Sequence, residues 1–214
     1  MEQEQELTNF ATIEDVQRAM FAQRYIADRS LATTVFLALK RRKPLLLEGE
    51  PGVGKTEIAK VLAAALDTRL IRLQCYEGID VSTAVYEWNY TRQMLHIRLM
   101  EAEGINRQQE LKEIFGPDFL IKRPLLQAID TANAKAPVLL IDELDRSDEE
   151  FEAYLLELLS DFQITIPEIG TVVAKERLPC LIILISCPSM TTEKLPVMER
   201  ALLTWSCPTA QKVH

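Results

Sequence analysis

Pro44-Leu-Leu-Leu-Glu-Gly49-Glu50-Pro51-Gly52-Val53-Gly54-Lys55-Thr56 is a short apolar run that breaks into a glycine-rich loop. The last eight residues fit the pattern G-x-x-x-x-G-K-[ST]. A backbone that wraps phosphate oxygens with its own N–H groups has to come close to them, and side chains at the glycine positions would block that approach. Lys55 is spaced to reach β and γ phosphates and Thr56 to ligate magnesium, while the next helix aims its positive N-terminal end at the anion. Residues 56–66 supply that helix, with Ile58, Val61, Leu62 and Ala65 at helical spacing. Such a pattern arises by accident on the order of once in a hundred chains of this length, and a strand before it and a helix after it make accident rarer still. The expected nucleotide-binding set is therefore Gly49, Glu50, Pro51, Gly52, Val53, Gly54, Lys55, Thr56 and the adjacent Glu57.

A second motif lies further along the chain. Val138-Leu-Leu-Ile-Asp142-Glu143 ends an unbroken apolar strand in two carboxylates. Neighbouring side chains on a strand diverge, so the two acids are expected to take different tasks, Asp142 for magnesium and Glu143 for a water. A carboxylate that orients water beside a γ phosphate suits hydrolysis, whereas a kinase needs that space for a second substrate.

Around these motifs the pattern is that of an α/β fold. Leu70-Ile-Arg-Leu73 and Leu181-Ile-Ile-Leu-Ile185 read as further strands, and the stretch at 137–141 does not alternate, as expected for a strand buried on both faces. Helical segments separate them, including residues 151–162 with Phe151, Leu155, Leu158, Leu159 and Phe162 on one stripe, so the sheet should be mainly parallel. Gln163-Ile-Thr-Ile166 and Thr171-Val-Val173 flank a turn and read as a hairpin before the fourth strand. Thr12-Ile-Glu-Asp15 has the form of a capping box, with Ile13, Val16, Ala19 and Met20 on one helical face, and a second helix is expected at 30–39. Residues 93–130 are hard to read: a helix is expected at 107–115 and a break at Gly116-Pro117.

Composition bounds the function. The 214 residues suit one domain: a polar tail at 1–10, a core at 11–208 and a short tail at 209–214. No apolar run is long enough for a membrane span, and the acidic, polar N-terminus lacks the order of a secretory signal, so a cytoplasmic protein is expected. Net charge is −8, which repels nucleic acid; the dense basic run Lys40-Arg41-Arg42-Lys43 reads more simply as a solvated helix end. Cys75, Cys180, Cys187 and Cys207 form no C-x-x-C pair, and reduced, mostly buried thiols are expected.

Leu46-Leu-Glu-Gly-Glu-Pro-Gly-Val-Gly-Lys-Thr56 together with Leu140-Ile-Asp-Glu-Leu-Asp-Arg146 resembles the MoxR family of AAA+ ATPases. Ile71-Arg-Leu-Gln-Cys-Tyr-Glu-Gly78, Tyr86-Glu-Trp-Asn-Tyr90 and Leu155-Leu-Glu-Leu-Leu-Ser-Asp-Phe162 resemble its carbon monoxide dehydrogenase maturation branch. That resemblance implies an AAA+ P-loop core with five strands in the order 5-1-4-3-2. It also implies ATP and Mg2+ as cofactors, hexameric homo-oligomeric rings or an intact AAA+ partner, and a protein client, a molybdenum-type metalloenzyme among the candidates. Tyr25 and Ile26, in Tyr25-Ile-Ala-Asp28, resemble the segment that lines adenine, and the hairpin at 163–173 resembles a client-facing element.

The chain also departs from the family. Where the fourth strand is normally followed by a polar sensor-1 asparagine, this sequence has Ser186-Cys-Pro-Ser189, and a hydroxyl is shorter than an amide. Glu199-Arg200-Ala201 is the nearest match to the arginine-rich helix end, which makes Arg200 a candidate finger on a neighbouring subunit and equally a plain surface residue. The sequence reaches His214 soon after the strand around Leu203-Thr-Trp205, so the C-terminal helical lid and sensor-2 arginine are expected to be missing, as in a fragment or a degenerate paralogue. Catalytic roles fall to Glu143, Lys55 and Arg200 in an ATPase whose hydrolysis is slowed by these departures. The alternatives are a nucleotide-gated adaptor with little turnover and a small-molecule phosphotransferase, for which no arginine cluster after the third strand supplies a basic lid.

Overall fold

The computed structural model describes residues 10–49, 53–103, 114–130, 136–174, 180–185 and 203–206. Its centre is a five-stranded parallel sheet. β1 (Leu45–Glu48), β2 (Leu70–Gln74), β5 (Val138–Asp142), β8 (Cys180–Ile185) and β9 (Leu203–Ser206) lie side by side in the spatial order β2, β5, β8, β1, β9. One level of the sheet runs through Leu73, Ile141, Ile183 and Leu46, which fixes the relative height of the strand ends.

The side chains of the central strands alternate between two separate cores. Val138 and Leu140 of β5, with Leu45 and Leu47 of β1, pack among α1 (Ile13–Ala22), α2 (Arg29–Arg41) and α3 (Lys55–Ala65). Leu139 and Ile141, with Leu46, Ile71 and Leu73, face the opposite layer. That layer is built from α4 (Val81–Ala84), α6 (Pro124–Ile129) and α7 (Glu149–Asp161). Every residue of β5 is buried, which is why its sequence carries no polar alternation.

Local signals account for the helix ends. Thr12 caps α1 through the reciprocal pair Thr12 Oγ1 and Asp15 carboxylate, and the bonds that Asp15 accepts from Thr12 hold its pKa below the usual carboxylate range. Asp28 caps α2 and Asp148 caps α7. Lys40 and Arg41 form the last turn of α2 and Arg42 closes it in the left-handed conformation, so the basic run is a helix C-terminus, where cations complement the dipole. The α2 helix extends beyond the expected 30–39 at both ends.

The stretch that resisted sequence reading holds β3 (Tyr86–Trp88) and β4 (Leu120–Lys122), an antiparallel pair, with α5 (Tyr90–Glu103) between them. A 3-10 turn at Pro117–Phe119 follows Gly116 at the expected break. Most of the helix expected at 107–115 lies outside the described residues. On α5 the side chains of Tyr90, Met94, Leu95 and Leu99 are exposed while Gln93 is buried, so no apolar stripe marks its inner face.

β6 (Gln163–Ile166) and β7 (Gly170–Val173) form an antiparallel hairpin, with Ile164 and Ile166 buried in the second core. Among the described residues no helix is long and apolar enough to cross a membrane.

Leu140 is fully buried at the centre of the sheet, so Leu140→Ala is expected to destabilise the chain by about 2–5 kcal/mol. Loss of the α1 cap in Thr12→Ala is expected to cost about 1 kcal/mol. Urea unfolding of the two variants beside the parent chain measures both, and an equal effect would contradict the two-core packing.

Candidate functional site

The glycine-rich loop joins the C-terminal end of β1 to α3, the strand–loop–helix order that a phosphate cradle requires. Residues 50–52, and with them Glu50, Pro51 and Gly52, lie outside the described residues. α3 starts at Lys55, with Gly54 as its N-cap at φ 90°, a left-handed conformation that glycine adopts without strain, and with no side-chain cap. α1, α2 and α7, by contrast, carry side-chain caps. An N-terminus without a side-chain oxygen is suited to an external anion.

Lys55 is 6% exposed, and its Nζ donates to the Gly49 carbonyl at 2.5 Å, so the ammonium is folded back across the loop. Val53 and Thr56 are half-buried, and Glu57 is exposed and paired with Lys60 at 2.8 Å. Glu57 therefore serves the first turn of α3 and its dipole; its carboxylate is committed to a surface pair.

β5 brings the second motif to the same edge of the sheet. Only β8 separates β5 from β1, so their ends are about two strand spacings, roughly 10 Å, apart. Strand alternation puts Asp142 on the face of Val138 and Leu140, the face covered by α3. Its side chain is 9% exposed, and Arg72 Nη2 donates to Oδ2 at 2.5 Å. The same nitrogen donates to Gln74 Oε1 at 2.6 Å, and Gln74 stands opposite Asp142 in the ladder.

Glu143 corrects a detail of the sequence reading: it is not on the strand. β5 stops at Asp142, and Glu143 sits in the left-handed region at φ 55°, ψ 45° as the N-cap of a 3-10 turn at Leu144–Arg146. The two carboxylates diverge because the backbone turns sharply there, not because of the pleat. A left-handed glutamate costs about 1 kcal/mol. Its carboxylate accepts from Arg146 Nη1 at 2.8 Å.

Cys75 follows β2 and lies against this acidic end, its N–H donating to the Asp142 carbonyl at 2.8 Å. Burial first, then the negative charges of Asp142, Asp145 and Glu143, push its thiol up from 9.0 to about 12. The thiol is free and buried.

The remaining expected residues are dispersed. Tyr25 is half-buried against the first core, whereas Ile26 is 85% exposed in the link between α1 and α2. Arg200 and the segment at 186–189 lie outside the described residues. A groove of about 470 Å³ lies on α5, lined by Arg92, Leu95, His96, Leu99, Asp118 and Phe119 among others, and its lining includes no residue of the loop or of the end of β5.

Sequence reasoning overlooked Arg72, Gln74 and Arg146 as parts of the site. A cation inside the apolar run Leu70-Ile-Arg-Leu73 was the available signal for Arg72. For Arg146 it was the i,i+3 spacing from Glu143.

A magnesium ion fits the donors present, because a carboxylate (Asp142) and a hydroxyl (Thr56) are the hard oxygen ligands it prefers. Among the described residues no group of three or more His, Cys, Asp or Glu is arranged to hold a metal.

A left-handed glycine at the start of α3, a lysine folded over the loop and an acidic pair at the end of a buried strand of the same sheet define the class: a P-loop nucleotide-binding α/β protein. Residues 44–195 match the AAA domain of the dynein-related subfamily, and the chain belongs to that family. Among solved structures it is similar to a candidate ATPase from Cytophaga hutchinsonii ATCC 33406, at 15% identity and a TM-score of 0.54 over 94% of this chain and 49% of that one. It is also similar to the Thermotoga maritima RuvB Holliday junction branch migration motor, at 19% identity and a TM-score of 0.41 over 83% of this chain and 43% of that one. The chain thus spans about half the length of these structures, and at such identity the first likeness speaks to fold alone.

The Cys75 environment is directly measurable. At pH 8 its alkylation by iodoacetamide in the native chain is expected to be about a thousandfold slower than that of an unfolded thiol, following the thiolate fraction. Since folding raises this pKa, the thiol's contribution to stability is complete below pH 9.0 and is lost as pH climbs towards about 12. Mass spectrometry of Cys75 labelling between pH 7 and 10 tests this, and labelling at the rate of an unfolded thiol would contradict the burial.

Proposed function

We propose that the chain binds MgATP at residues 49–56 and hydrolyses it as a MoxR-like AAA+ protein. The observation that carries this reading is the convergence of the Lys55 start of α3 with the Asp142–Glu143 end of β5 on one edge of the sheet. Lys55, held over the Gly49 carbonyl, is positioned to exchange that oxygen for phosphate oxygens. The first turn of α3 adds its dipole. Asp142 and Thr56 hold magnesium, which when bound neutralises the charge that develops on the phosphates. Glu143, turned away from the strand by its left-handed backbone, orients the attacking water and accepts its proton.

The strand order 5-1-4-3-2, with the hairpin at 163–173 before the fourth strand, belongs to the same reading, as do Tyr25 and Ile26 beside adenine. So does assembly into a ring in which Arg200 of one subunit completes the site of the next. In this reading turnover remodels or matures a client metalloenzyme in the cytoplasm. Family membership and the motifs support the nucleotide chemistry; the client rests on the resemblance of 71–78, 86–90 and 155–162 to the maturation branch.

A nucleotide-gated adaptor with slow turnover is the second reading. One observation favours it: arginines engage both acids of the site; the sequence adds Ser186 at the position where the resembled family has an asparagine.

Steady-state MgATP hydrolysis and fluorescent-nucleotide binding, measured across protein concentration, separate the two. Under the leading reading Glu143→Gln lowers turnover by about 10²–10⁴-fold while nucleotide affinity changes less than about threefold; Lys55→Ala loses binding as well. Saturable binding without turnover, unaffected by Glu143→Gln, would leave the adaptor.

A further inference from the structure

The nucleotide-site reading leaves Arg72 without a task. β2 is the edge strand of the sheet and pairs with β5 so that Arg72 stands opposite Leu140 and Gln74 opposite Asp142. The pairing continues past the strand through the Cys75 N–H on the Asp142 carbonyl, which fixes the two chains at the acidic end. Arg72 and Gln74 share the face of β2 opposite to buried Ile71 and Leu73, the side to which Asp142 also points. The guanidinium reaches forward along that face, and Nη2 contacts Asp142 Oδ2 at 2.5 Å and Gln74 Oε1 at 2.6 Å. Gln74 thereby braces the arginine against the carboxylate.

The two partners differ in exposure: the Asp142 side chain is 9% exposed and that of Arg72 is 52% exposed. A nearly buried carboxylate needs a counter-ion, and a half-exposed arginine, its charge already partly in water, can give up its place once another cation takes it. A guanidinium on Oδ2 also places a fixed positive charge where a divalent cation would feel the field of Asp142, and like charges at such range in a partly desolvated site repel strongly.

We infer that Arg72 is a positioning residue that guards the metal site: by occupying Asp142 it lowers the site's affinity for free magnesium, so that the ion is taken up together with nucleotide phosphates and not alone. Phosphate charge supplies the attraction that bare Mg2+ lacks there, and the arginine gives up its hold on Oδ2 when the nucleotide brings the ion in. This inference rests on the nucleotide reading of residues 49–56 and Asp142, and deepens it by naming what regulates metal entry.

The test uses the full chain and two uncharged variants, R72M and R72Q, so that a folding defect in one leaves the other, together with the charge-retaining R72K. Fluorescent ADP binding is titrated with Mg2+, and thermal melting is followed with Mg2+ alone. The expected result is that R72M and R72Q reach half-maximal nucleotide binding at roughly tenfold lower Mg2+ than the parent chain, and melt at higher temperature when Mg2+ alone is added, a response the parent lacks at the same concentration. R72K is expected to stay within about threefold of the parent. A merely structural role for Arg72 would lower melting temperature without tightening Mg2+. An unchanged or increased Mg2+ requirement in R72M and R72Q, with nucleotide binding intact, overturns this inference and spares the nucleotide reading. An R72K response as large as that of R72M also overturns it. Failure of the parent chain to bind nucleotide at any Mg2+ concentration overturns both.

Discussion

The architecture depends on one constraint, a strand with no exposed face that has to end in a charge. Every residue of β5 from Val138 to Asp142 is buried. Val138 and Leu140 pack among α1, α2 and α3, and Leu139 and Ile141 pack into the opposite layer. A strand buried in this way cannot shift register without driving its whole set of side chains into the wrong core, so the height of Asp142 in the sheet is fixed by four apolar residues before it. Burying that carboxylate is affordable only with a partner, and the neighbouring strand supplies Arg72. Packing sets the position of the acid; electrostatics sets what surrounds it.

The two halves of the site are held in place by different means. At α3 the chain forgoes the side-chain cap used at α1, α2 and α7 and begins the helix from a left-handed glycine. That choice gives up some of the helix stability a cap supplies and leaves the N-cap position of α3 without a side-chain oxygen. At the end of β5 the chain accepts a left-handed residue that is not glycine, Glu143, so that the second acid leaves the strand direction at once. Glutamate in that conformation persists because the strand before it and the 3-10 turn after it are both anchored, Ile141 and Leu144 being buried. Strain of this kind gathers where a side chain has to be aimed.

These features explain which parts of the molecule were legible in the sequence. The α/β class and the strand–loop–helix unit were readable because they rest on composition and periodicity: an apolar run with no alternation, a glycine pattern, a 3.6-residue repeat. The capping box at Thr12 and the turn at Gly116-Pro117 were readable as local chemistry. Glu143 was misread as a strand residue, because the change from extended to left-handed backbone leaves no composition signal at a glutamate. Glu57 looked like part of the loop by adjacency, although its pairing with Lys60 follows ordinary i,i+3 helix geometry. The Arg72 contact joins residues seventy positions apart, and no window along the chain contains it.

The unit formed by β3, α5 and β4 was illegible for a further reason, which lies in how little of α5 is buried. Two three-residue strands are marginal by themselves, and α5 buries Gln93 and Met100 while leaving Met94, Leu95 and Leu99 exposed. What holds the unit is an aromatic cluster, Trp88 edge-on to Tyr86 and to Phe115 and Phe119 against His96 and the Arg92 guanidinium, and through Trp88 and Phe119 it joins the second core, to which Leu139 and Ile141 also belong. Backbone bonds from Asn89 to Phe119 and from Arg123 to Val85 close its two ends. Trp88 keeps its indole nitrogen buried without a hydrogen-bond partner, an expense the five-stranded core does not share at β5. The sheet that fixes Lys55, Asp142 and Arg72 is anchored through both of its faces, whereas α5 turns Tyr90, Met94, Leu95 and Leu99 to solvent. Local opening costs least where buried apolar contacts are fewest, which sets α5 apart from β5, buried at every residue.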